Sequence, residues 1–242
     1  MDFSFLVYLF FGVIPSLAWL SYYLRKDLHP EPKKMILKIF MWGAIITVPV
    51  YFVQIGLNFV LSIFNISHLV HDPIYWFLII ALSEEFFKFF VIKMKVLNSP
   101  DYDEPLDAML YMVISALGFA AVENILYLFS PAGHLPFNSI LDRAVVVIII
   151  RFLGATFLHT LCSSVIGYSL ALSFYEKKKK YSYLATGIIM ATVLHGLYDF
   201  SIITLGGYLK LGVPLAVIFL LAVLVFSGFD RVKKNKSVCE VN

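Results

Sequence analysis

Apolar and polar positions alternate along this chain on the scale of whole helices. Long apolar runs separated by short polar loops place helices at about 3–24, 37–64, 73–94, 106–129, 140–174, 183–205 and 209–229. Several of these runs exceed the roughly 18 apolar residues that cross a hydrocarbon core about 30 Å thick. The pattern predicts an all-α integral membrane protein of about seven transmembrane helices. They form one domain over residues 1–242, built around a polar intramembrane cavity, with the catalytic helices within about 73–205. The first run, Phe3 to Leu24, has no basic segment before it and is too long for a signal-peptide core, so it is expected to remain as a span. The run at 140–174 is long for one crossing. It carries Asp142, Arg143 and Arg151 in its outer half, which predicts either a strong tilt or an interfacial start. Pro15 and Pro49 fall inside the first two helices, where kinks are tolerated in a membrane.

Composition agrees with the pattern. Sixty per cent of the residues are hydrophobic, 17% aromatic and only 14% charged, which excludes an ordinary soluble domain. Two cysteines, Cys162 in a span and Cys239 in the tail, make no disulfide framework. The net charge of +3 matters less than its distribution. Arg25, Lys26, Lys33 and Lys34 lie after the first span and Lys93 and Lys95 after the third. Lys177 to Lys180 follow the fifth, and Arg231, Lys233, Lys234 and Lys236 follow the seventh. The loops at 65–72, 130–139 and 206–210 are poor in Lys and Arg. By the positive-inside rule the N-terminus lies outside and the C-terminus in the cytoplasm, and the basic clusters need no nucleic-acid partner.

Against this apolar background the polar exceptions stand out. Glu84 and Glu85 sit side by side in the third helix, where an ionised carboxylate costs about 2.5–3.5 kcal/mol on insertion scales. The fourth helix carries Glu123 and Asn124, the fifth Arg151 and His159, and the sixth His195 and Asp199. At ~1.5 Å per residue these positions fall in one layer, from the midplane into the outer half. His195 and Asp199 are four apart and share a helical face, as do Glu84 and Lys88. The second pair leaves Glu85, turned away by about 100°, as the freer base. Glu84, Glu85, Glu123 and Asp199 against Lys88 and Arg151 leave a surplus of two negative charges, which suits a divalent cation. Two histidines and a carboxylate with an open position are a recurring zinc set. His159, His195 and Glu123 are the expected ligands, with Glu84 or Glu85 acting on a water and Asp199 as a further ligand or an orienting partner of His195. A metal-free version uses the same residues, a buried glutamate activating water and a histidine stabilising the oxyanion. No His-Glu-x-x-His helix is present to choose between them.

These residues resemble the PrsW membrane proteases, relatives of the CAAX-protease and bacteriocin-processing superfamily. The resemblance rests on Glu84-Glu85-Phe-Phe-Lys88, Asp107 leading into Leu117-Gly-Phe-Ala-Ala-Val-Glu-Asn124, Arg151 with His159 and Gly167, and His195-Gly-Leu-Tyr-Asp199, over roughly residues 80–200. It implies a multi-pass protease of a bacterial plasma membrane that cuts membrane-anchored anti-sigma factors near the outer face. It also implies Glu84, Glu85, Glu123, His159 and His195 as the catalytic set. The wider superfamily often has histidine at the position of Glu123 and asparagine at that of Asp199. Both departures add carboxylate and lean toward a metal. The rival class is a proton- or ion-coupled transporter, which also uses intramembrane Glu and His; no inverted repeat supports it. Asp107 is read as a charge at a helix N-terminus, Asn124 as an interhelical hydrogen-bonding residue and Arg151 as a counter-ion.

Overall fold

The computed structural model describes residues 3–27, 29–130 and 140–234. These are helical throughout, with no strand among the described residues. The elements are α1 (Phe3–Leu24), α2 (Lys33–Ile63), α3 (His68–Pro73), a π-helical stretch (Ile74–Ala81), α4 (Leu82–Lys95), α5 (Pro105–Phe129), α6 (Ile140–Leu153), α7 (Ala155–Tyr175), α8 (Lys180–Thr204) and α9 (Leu209–Lys234). Among the described residues, six helical runs are long and apolar enough to cross a membrane, with α6 and α7 counted together. A further continuous helical run, α3–π–α4, carries Glu84, Glu85 and Lys88. Residues 131–139, Lys236 and Cys239, which entered the charge and cysteine readings, lie outside the described residues.

Two features of the elements go beyond the sequence pattern. The long fifth run breaks at Gly154, whose φ and ψ of −99° and −99° leave the helical region. A Cβ at that position would lie 2.5 Å from the Tyr198 hydroxyl, so only glycine admits this approach of α8. The third run begins at His68, five residues early, and passes through eight π-helical residues before the glutamates. Such wide turns concentrate at functional sites because they re-aim the residues that follow.

The core is built around α5, which is buried along nearly its whole length. Its N-terminus is set by Pro105, tolerated in a first turn, and by Asp107. The Asp107 carboxylate accepts from the backbone N–H of Glu104 at 2.7 Å and of Asp103 at 3.0 Å, the helix-start role read from sequence. Small residues let neighbouring backbones touch α5. Gly118 lies against the Phe40 carbonyl of α2, and Gly43 of α2 against the Ser115 carbonyl. A Cβ at Gly167 of α7 would fall 2.6 Å from Met109 Cα. In a lipid solvent this close approach, with its dispersion gain, replaces the hydrophobic drive between helices. Outward faces of α2 and α9 present Phe52, Phe59 and Phe219, as expected of surfaces wetted by acyl chains.

Candidate active site

Five helices deliver polar side chains to one cluster. Glu84, Glu85 and Lys88 come from α4, Glu123 from α5, Arg151 from α6, His159 and Ser163 from α7, and His195 and Asp199 from α8. All are buried except Glu123 and Asp199, which are half-buried. A chain of contacts joins them. Arg151 Nη2 donates to Glu123 Oε2 at 2.7 Å, and His159 Nε2 lies 2.7 Å from the same oxygen. His159 Nδ1 is 2.8 Å from Lys88 Nζ, which is also 2.8 Å from Glu85 Oε1. Glu85 Oε1 lies 2.9 Å from His195 Nδ1, and His195 Nε2 is 3.3 Å from Asp199 Oδ2. A lysine ammonium can only donate, so His159 Nδ1 accepts and its ring proton sits on Nε2, directed at Glu123.

The two adjacent glutamates are in different states. Glu85 is wholly buried: Lys88 and His195 hold Oε1, and Ser163 Oγ donates to Oε2 at 2.8 Å. Glu84 has one oxygen held, Oε1 accepting from Gln54 Nε2 of α2 at 3.3 Å, while buried Oε2 accepts no hydrogen bond. Lys88 Nζ stands 3.5 Å from Glu84 Oε2 and 2.8 Å from Glu85 Oε1. The i, i+4 ion pair expected from spacing is present, but the ammonium sits nearer the carboxylate that spacing had left free. It hydrogen-bonds Glu85 and His159, so Glu84 Oε2 is left with the longer ion pair alone and accepts no hydrogen bond.

That bare oxygen points between the imidazoles. Glu84 Oε2 is 3.9 Å from His159 Nδ1 and 3.8 Å from His195 Nε2, and the two rings stand 5.0 Å apart. Glu84, His159 and His195 are the group of potential metal ligands among the described residues, with donor atoms all within 4.8 Å of one another. Glu123 sits behind His159, on its other nitrogen. The cluster opens into a cleft of about 400 Å³ bordered by Glu84, Glu123, Arg151, Tyr198, Asp199 and Trp76, a volume typical of ligand sites.

The model of the PrsW family intramembrane metalloproteases matches residues 31–227. This chain belongs to the PrsW family. It is 33% identical over 193 residues to a Protease PrsW of Geobacillus kaustophilus, covering 79% of this chain and 78% of that relative. It is 30% identical over 232 residues to a Protease PrsW of Bacillus subtilis, covering 94% of each. A Protease PrsW of Oceanobacillus iheyensis is 29% identical over 224 residues, 93% of this chain and 95% of that relative. No solved structure matches the chain. PrsW membership makes this a peptidase and a multi-pass bacterial membrane protein, and disfavours the transporter reading.

The donor set suits the metal that the family description implies. Two imidazoles and a carboxylate are the ligand types of catalytic zinc sites. The buried Glu84 Oε2 accepts no hydrogen bond and has Lys88 Nζ only at 3.5 Å, which leaves an oxygen able to take a cation more closely. Glu85 on His195 Nδ1 and Glu123 on His159 Nε2 are the outer carboxylate contacts that orient ligating histidines. Sequence reading missed Gln54, because α2 lies before the helices on which it looked for chemistry. It also missed Ser163, since a lone serine in an apolar helix carries no local signal. Asn124 bonds the Gly12 carbonyl of α1, Thr156 and Arg151, an interhelical role.

Proposed function

We propose that this PrsW protein hydrolyses a peptide bond of a membrane-anchored protein near the outer membrane face, with Glu84, Glu85, Glu123, His159 and His195 as its working set. The observation that carries the reading is the bare Glu84 oxygen set between two imidazoles at the floor of a cleft. Glu84, His159 and His195 would hold a divalent metal, zinc by ligand type, with His159 offering Nδ1 once the Lys88 ammonium, which now donates to it, turns wholly to the glutamates. When bound, it polarises the scissile carbonyl and lowers the pKa of water. This geometry favours exchanging two carboxylates relative to the sequence reading: Glu84 takes the ligand place and Glu123 becomes the acid–base. Glu123 is half-exposed to the cleft, within hydrogen-bond reach of a water there. As that water's oxygen attacks the carbonyl carbon, Glu123 takes its proton and then delivers it to the amide nitrogen. The C–N bond breaks to leave a carboxyl and an amine, with no covalent enzyme intermediate. Arg151 keeps Glu123 in place, Glu123 orients the His159 ring and Glu85 the His195 ring.

The outer-face cut follows from depth and orientation. Glu123 lies six residues, about 9 Å, from the end of α5, and the basic loops put that end outside. Protease digestion of intact cells should remove a tag from the N-terminus and spare one at the C-terminus. The reverse pattern would put the cut on the cytoplasmic side. By the resemblance, the substrate is a membrane-anchored anti-sigma factor, cut first at this site before further proteolysis.

Metal analysis of active, detergent-purified protein should find about one divalent ion per chain, most of it lost in His159→Ala and in His195→Ala. Full activity without bound metal would leave Glu84 as a base acting alone.

A further inference from the structure

The cleft along α6 and α8 does not end at the polar cluster. A second cleft of about 260 Å³ opens between α2 and α5, past Thr47, Tyr51, Phe119 and Leu126. Both clefts border Gln54, Glu84, Glu123 and Tyr127, so they meet over the carboxylates. Hydrolysis of an internal peptide bond requires chain to leave the scissile bond in two directions, and one blind cleft would hold only one flank.

We propose that the two clefts are one substrate groove, in which an extended polypeptide crosses Glu84 and Glu123 with the side chains flanking the scissile bond in two separate subsites. This rests on the protease reading above. An extended strand is required because helical carbonyls are already hydrogen-bonded and shielded from attack. Its freed N–H and C=O groups need partners at membrane depth, and the waist of the groove supplies the Gln54 amide oxygen as an acceptor, Gln54 Nε2 being held by Ser83 and Glu84. Gln54 thereby has a reason to interrupt an apolar α2.

The two subsites differ in size and charge. The α6/α8 side is larger, carries Arg151 and Asp199, and has the broad faces of Trp76 and Tyr198. The α2/α5 side is smaller, and apart from the shared carboxylates it is lined by neutral side chains such as Thr47, Tyr51 and Phe119. The larger side takes a bulky residue and the smaller side a compact, uncharged one. A lipid acyl chain is the rival occupant, but two carboxylates at the waist make a poor bed for it.

The test uses a synthetic library of single-span peptides, randomised at the outer end, with products read by mass spectrometry. Ile203→Trp fills the larger subsite and Leu126→Trp the smaller. Both wild-type side chains line their clefts and are 60% and 52% exposed, so neither change burdens the core. Each variant should lower kcat/KM by about 10-fold or more for peptides with a bulky residue on its own flank. Peptides with alanine on that flank should stay within about twofold, and the affected flanks should be opposite in the two variants. If the wild type cleaves but both variants affect the same flank, or neither does, the groove is wrong and the clefts hold lipid. If the wild type cleaves no peptide at all, the protease reading itself falls.

Discussion

Glu84→Gln is expected to lose cleavage and bound metal together, while Glu123→Gln loses cleavage and keeps the metal. Glutamine preserves the size of Glu84 and the oxygen that accepts from Gln54. It removes the negative charge from the atom that stands 3.8 and 3.9 Å from the two imidazoles. The expected fall in kcat/KM is about 10³-fold or more, some 4 kcal/mol of transition-state stabilisation. Unfolding in detergent should stay close to wild type, because Oε2 accepts no hydrogen bond and Lys88, 3.5 Å away, keeps its shorter pair with Glu85. Glu123→Gln should cost a similar factor, typical of a positioned acid–base. Its ligand neighbours remain: Glu84 keeps Gln54, His195 keeps Glu85, and Arg151 keeps Asn124. Metal analysis and cleavage assays on the two proteins decide the matter. Retained metal in Glu84→Gln with loss in Glu123→Gln would restore the ligand set read from sequence.

Lys88→Met should produce the largest loss of stability in the molecule. The Lys88 ammonium is wholly buried and bridges Glu85 and His159, each at 2.8 Å. Methionine fills a similar volume but leaves Glu85, itself wholly buried, without its cation. Removing one partner of a buried ion pair costs about 3–5 kcal/mol, because the other charge remains in a low-dielectric interior. The companion change Glu85→Gln removes that charge and keeps an oxygen for His195, while its amide N–H can donate to Ser163 Oγ. The double variant should therefore recover most of the lost stability. Unfolding midpoints of the four proteins in one detergent form a double-mutant cycle. A Lys88→Met protein as stable as wild type would show that water or a rearranged partner already solvates Glu85.

How much of this was legible in the residues can be seen helix by helix. The His195–Asp199 pair was predicted from spacing and meets at 3.3 Å, because both residues lie on one helix whose geometry is local. The Glu84–Lys88 pair had the same spacing, yet Lys88 sits closer to Glu85, since His159 on another helix decides where the ammonium turns. The break at Gly154 was not legible because the space there is bounded by the Tyr198 hydroxyl of α8, a neighbour distant in sequence. Gln54 and Ser163 were invisible for the same reason: each is a single polar residue in an apolar run, and its meaning lies in what faces it.

The sequence by itself determined the membrane class, the helices to within a few residues, and which chemical groups reach a common depth. Hydropathy and a rise of about 1.5 Å per residue are properties of each segment alone. Only the tertiary structure decided which glutamate is spent on a buried ion pair and which keeps a bare oxygen between two histidines. That choice depends on the rotation of each helix about its axis. It is set by the π-helical turn before Glu84 and by close backbone contacts at Gly43, Gly118 and Gly167, where neighbouring helices lock against one another.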